Sequence, residues 1–181
     1  MEWKKKLRLL ELDKQWDCAI VLMQQVIKEN PDDIDAYIYM NYLLMNLLVE
    51  EEYDQRKHDI YASLIKKYFD ESYAKFYNNA EYLFCTGVTA VMAEWYFGID
   101  AQAYEAMLKK AMQLEPDNLV YKRTYYMHLD KNIPKEKREV SSYAQLLLQN
   151  NSPLVESIKS RGAFGEYLLS CMQGWAERTL K

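Results

Sequence analysis

The stretch Trp16–Leu44, WDCAIVLMQQVIKENPDDIDAYIYMNYLL, decides the fold. Trp16, Ala19, Ile20, Met23, Val26 and Ile27 recur at three- and four-residue spacing, the pattern of a helix with one buried face. Asn30 and Pro31 end that helix, because the residue before a proline is pushed out of helical geometry. Asp32 and Asp33 then offer a cap and favourable charge to the N-terminus of a second helix. A related unit recurs at Tyr104–Leu129, YEAMLKKAMQLEPDNLVYKRTYYMHL, with Glu115-Pro116-Asp117-Asn118 as its turn. Internal similarity of this kind predicts stacked helical hairpins.

Working outward, the same periodicity predicts about nine helices, over 2–12, 15–29, 33–48, 51–69, 72–97, 100–114, 117–130, 135–150 and 153–179. The breaks fall at Asn30-Pro31-Asp32, Asp70-Glu71-Ser72, Gly98-Ile99-Asp100, Glu115-Pro116-Asp117, Asn132-Ile133-Pro134 and Asn150-Asn151-Ser152-Pro153. Leu12–Gln15 is a weaker break, and Glu50–Glu52 reads as a turn or a helix start. Only 5 Gly and 4 Pro interrupt 181 residues, which suits long helices joined by short turns. Short turns make consecutive helices pack antiparallel. The expected fold is all-α: stacked antiparallel helical hairpins forming an α-solenoid, one domain over 1–181, closed by a C-terminal capping helix. Gly162 and Gly165 weaken that last helix and predict a kink or break in it. Beyond them Tyr167, Leu168, Cys171, Met172 and Trp175 form an apolar stripe suited to capping a repeat array.

These residues resemble the tetratricopeptide repeat family, which pairs two helices over about 34 residues. Trp3 falls at the family's early aromatic position, Leu10 at its later large one, Ala19 at the small position, Met23 and Val26 at packing positions, and Pro31 at the terminal proline. Tyr37, Met40 and Leu44 take the large positions of the next helix, with Asn41 where a small residue is usual. Leu108, Ala111 and Pro116 recover the end of the motif, Gly87 fits a small position, and Tyr104 departs from one. Pro31 and Pro116 are 85 residues apart, two and a half family repeats. The resemblance covers about half the chain and carries no catalytic residue. It implies a concave binding surface lined by the first helix of each pair.

Composition narrows the function. Net charge is −4, but Leu9–Asp59 holds 12 acidic and 4 basic residues. An acidic front half argues against nucleic acid, which needs a basic footprint, and favours a cationic partner. A solvated outer face would carry the same charges. The basic segment Lys131–Arg138, KNIPKEKR, brackets a turn and reads as a solvated loop. No apolar run reaches the roughly 20 residues that span a bilayer, and the basic start MEWKKKLRLLELDKQW lacks a signal-peptide core, so a cytoplasmic protein is expected. Cys18, Cys85 and Cys171 are far apart and suggest neither disulfide nor zinc site. No cofactor or metal is expected, because no HExxH, phosphate-cradling glycine loop or GxSxG occurs.

Tyrosine is the unusual count, 16 residues. It fills helix seams and is enriched at interfaces. By the family's register Asp35, Tyr39 and Tyr42 flank a groove on the third helix, Glu81 does so on the fifth, and Glu94-Trp95-Tyr96 closes the fifth. The predicted partner-binding residues are therefore Asp32, Asp33, Asp35, Tyr39, Tyr42, Glu81, Glu94 and Tyr96. The expected function is a non-catalytic module that binds and neutralises a basic protein, such as a toxin domain masked by an immunity protein. One alternative is an adaptor or co-chaperone gripping a peptide. Another is a small-molecule enzyme built on Glu81, Glu94, Cys85 and His128.

Overall fold

A computed structural model describes residues 2–129 and 153–178. The described residues form helices and no strand. In chain order these are α1 (Glu2–Leu12), α2 (Trp16–Glu29), α3 (Ile34–Glu50), α4 (His58–Phe76), α5 (Ala80–Ala90), α6 (Glu94–Phe97), α7 (Ala101–Leu114), α8 (Leu119–Leu129), α9 (Pro153–Lys159) and α10 (Gly162–Arg178). A 3-10 turn, Gln55–Lys57, leads into α4. Backbone contacts group the chain into two compact units, Met1–Leu114 and Glu115–Lys181, where the sequence pattern suggested one continuous domain. The helix expected over 135–150 and the basic segment 131–138 lie outside the described residues.

In the first unit α1 packs on α2, α2 on α3, α3 on α4 and α5, and α5 on α7. The α2 stripe is buried as the spacing predicts: Trp16, Ala19, Ile20, Met23, Val26 and Ile27. Asp33 caps α3, its carboxylate accepting the Ala36 N–H at 3.2 Å. From Ala36 to Met45 every residue of α3 is buried. A helix apolar on all sides has no solvent face to offer, and α3 sits among α2, α4 and α5 as the centre of the unit.

Predicted boundaries moved in the middle of the chain, where the helix expected over 51–69 begins only at His58, after the 3-10 turn. The chain does not break at Asp70-Glu71-Ser72; α4 runs through to Phe76. Ser72 keeps it helical from inside, its hydroxyl bonding back to the Tyr68 carbonyl at 2.6 Å. This is the i to i−4 pattern open to a mid-helix serine. Outside, Lys66–Asp70 pairs one turn apart at 2.9 Å. The break comes at Tyr77–Asn79 instead, where Asn79 caps α5 by accepting the Tyr82 N–H at 2.9 Å. The helix expected over 72–97 is therefore interrupted twice, the second time at Val91–Ala93, before the short α6.

In the second unit Asn118 caps α8, its amide oxygen accepting the Val120 N–H at 3.2 Å. The break expected in the last helix falls at Ser160–Arg161, between α9 and α10. The glycines do more than loosen the helix. Gly162 turns the chain at φ +60, and Gly165 lets α10 approach α9 so closely that a Cβ there would sit 1.9 Å from the Ile158 carbonyl oxygen. Val155, Ile158, Phe164, Leu168 and Met172 are buried. Of the predicted capping stripe, Leu168 and Met172 are core and Tyr167 and Cys171 half-buried, while the Trp175 side chain lies outside the described residues.

Candidate partner-binding surface

Among the described residues the most exposed large aromatic side chain stands on α6. Gly98 ends this helix in the left-handed conformation, φ 70 and ψ 30, with its N–H donated to the Trp95 carbonyl at 3.1 Å. Glycine takes that conformation without steric cost. Phe97, fully buried, anchors α6 to α4 by an edge-on contact with Phe69, ring centroids 5.4 Å apart. Fixing Phe97 inward leaves Trp95 turned outward, 62% exposed. Tyr96 lies edge-on to His58 at the start of α4, centroids 5.7 Å apart.

Together α4 and α6 form a shallow open shelf of about 620 Å³, lined among others by Asp59, Ser63, Lys66, Asp70, Trp95 and Tyr96. The ion pair with Asp70 occupies Lys66. Asp59 is exposed beside the aromatic pair. Lys67, exposed and lying over the Tyr68 ring, lines it too, so Asp59 and Asp70 are balanced by Lys66 and Lys67 and what the shelf offers an arginine or lysine side chain is chiefly the aromatic faces of Trp95 and Tyr96.

A polar and aromatic chain holds the start of α4 in place. The Tyr53 hydroxyl lies 2.6 Å from His58 Nδ1. Tyr53 packs edge-on against Tyr61, and Tyr61 donates to Asp17 of α2 at 2.8 Å. Lys57 pairs with the same carboxylate. Hydrogen bonds from Lys57 and Tyr61 hold the Asp17 carboxyl below the usual carboxylate range. Asp54 opens the turn, accepting the Arg56 N–H and its guanidinium, the latter at 2.7 Å.

The eight predicted site residues divide by position. Glu94 and Tyr96 lie half-buried on α6, and Tyr96 lines the shelf. Asp32 is exposed on the α2–α3 turn. Asp33 is used in capping, and Asp35 pairs with Lys4 of α1 at 2.5 Å. Glu81 is half-buried in the first turn of α5. Tyr39 and Tyr42 are core residues, 4% and 6% exposed. Trp3 packs edge-on to Tyr39 at 5.3 Å, and Lys4 lies over the same ring. The α3 flank expected to line an open groove is therefore interior, because α3 is apolar on every side.

Trp95 was not singled out from the sequence. Reading 72–97 as one helix made it an ordinary helix-end aromatic; the signal available was Gly98 closely following EWYF, which marks a separate helical turn.

Of the residues of the enzyme alternative, Glu81 and Glu94 are half-buried on α5 and α6. Cys85 is 3% exposed, and burial pushes its thiol up, away from the nucleophilic thiolate. His128 is on α8 with its side chain outside the described residues. Among the described residues no group of three or more His, Cys, Asp or Glu side chains is placed to hold a metal ion. Among them too, no helix is long and apolar enough to cross a membrane. No protein-family model, curated protein or solved structure matches this chain.

Proposed function

We propose that this protein is a non-catalytic binding module whose α4–α6 shelf captures a basic segment of a protein partner. The observation that carries the reading is Trp95, 62% exposed on a helical turn fixed by Phe97 and Gly98, with Tyr96 and Asp59 beside it. Tryptophan is over-represented among the residues that dominate interface energetics, and leaving one in water is unfavourable unless a partner covers it. The shelf's own charges balance, so the preference for a cation rests on the aromatic faces and on the acidic front half of the chain, which favours approach of a cation over long range. A basic toxin domain, bound and masked, is one partner of this chemistry. A tetratricopeptide-like hairpin stack is the scaffold on which such a surface would sit.

The test is affinity capture from the native host with wild-type protein and with Trp95→Ala, read by mass spectrometry. A basic protein recovered by the wild type and lost with the variant supports the reading. Recovery that is indifferent to Trp95, or of acidic proteins alone, sinks it.

A further inference from the structure

Helix α1 carries two apolar faces. Leu7 points into the core at 1% exposure, whereas Leu9 and Leu12 are each 62% exposed. At 3.6 residues per turn Leu9 lies nearly opposite Leu7. Lys5, Lys6, Leu12 and Asp13, all exposed, surround it. On the neighbouring α2, Val21 is also 62% exposed. Between the two helices runs an open groove of about 580 Å³ lined among others by Lys6, Leu10, Asp17, Cys18, Val21 and Leu22, the Asp17 carboxylate being already paired with Lys57.

We infer that this face pairs with the same face of a second copy of the chain, across a two-fold axis passing beside Leu9. The charges select that occupant. Two lysines stand on one side of Leu9 along the helix and Asp13 on the other. An antiparallel pairing of two α1 helices centred on Leu9 sets Lys5 of each copy opposite Asp13 of the other. It sets Lys6, whose stem is apolar, opposite Leu12. A parallel pairing would oppose lysine to lysine. Among the described residues Lys5, Lys6 and Asp13 make no ion pair of their own. A surface that is complementary to itself under a two-fold rotation is what a closed dimer requires. Leu9, Leu12 and Val21 supply the apolar contact, and the exposed ion pairs set register more than affinity.

Sedimentation equilibrium of the full chain over a concentration series tests this. The wild type is expected to dimerise. Leu9→Glu is expected to raise the dissociation constant about tenfold or more, by placing a charge at the centre of the contact. Circular dichroism is expected to show that variant folded, since Leu9 is exposed. Lys5→Glu and Asp13→Lys should each weaken self-association alone. An equimolar mixture of those two variants should restore it, because both cross-pairs then join opposite charges. A wild type that stays monomeric throughout leaves the groove to some other partner and overturns the proposal. So does a dimer indifferent to Leu9→Glu, or a mixture that associates no better than its components.

Discussion

The hydroxyls of Ser72 and Tyr82 meet at 2.7 Å inside the first unit, joining α4 to α5. Ser72 commits its one proton to the Tyr68 carbonyl at 2.6 Å, so Tyr82 donates to Ser72. Asn41 of α3 adds a longer donation to the same oxygen at 3.4 Å. All three side chains are fully buried. One serine thus ties three helices, and removing it differs in cost from removing the hydroxyl of its partner Tyr82. Ser72→Ala is expected to cost about 1–3 kcal/mol by leaving the Tyr82 hydroxyl buried without its acceptor, and Tyr82→Phe only about 1 kcal/mol. Chemical denaturation of both variants checks the order; a larger loss for Tyr82→Phe would contradict this assignment of donor and acceptor.

Asp17 links α2 to the start of α4 through Lys57 and Tyr61. Its folded pKa is lowered, so its contribution is present above the unfolded value of about 3.9 and is lost as pH falls through the folded value. The carboxylate is more than half exposed, which screens the ion pair and limits the effect to about 1 kcal/mol or less. Asp17→Asn should therefore melt lower than wild type at pH 7, with the gap closing as pH falls below the unfolded value and through the lower folded one. A gap that is constant over this range would mean that the ionised carboxylate is not what stabilises.

Gly165→Ala should destabilise the second unit, although alanine is the better helix former by about 1 kcal/mol. The added Cβ meets backbone, the Ile158 carbonyl at 1.9 Å, and cannot be relieved by a rotamer change. Gly174, where a Cβ meets nothing within 4 Å, provides the control. Thermal melts should fall for Gly165→Ala and hold or rise for Gly174→Ala.

Trp95→Ala should leave thermal stability within about 0.5 kcal/mol, as for an exposed position. Phe97→Ala, two residues on and fully buried, should cost about 3–5 kcal/mol. Differential scanning calorimetry distinguishes the two. A strongly destabilised Trp95→Ala would show that the indole is structural and would remove the ground for the shelf.

The sequence alone determined that the chain is helical and where its first two helices lie. Three- and four-residue spacing marks a buried stripe wherever one exists, so the bounds of α1 came out unchanged and those of α2 within one residue. Caps are equally local, and Asp33 and Asn118 act where a short polar side chain beside a helix start would place them. What tertiary structure decided was which polar residues are inside. Asp-Glu-Ser at 70–72 has the composition of a turn, yet Ser72 is buried because Tyr82 and Asn41 reach it from other helices. Tyr39 and Tyr42 were expected at a groove from register alone, but α3 is enclosed by its neighbours, and periodicity cannot rank faces that are all apolar. Trp95 is outward for a reason the helical pattern read over 72–97 could not reveal: Phe97 finds Phe69 on α4, and that contact fixes which way a four-residue helix faces.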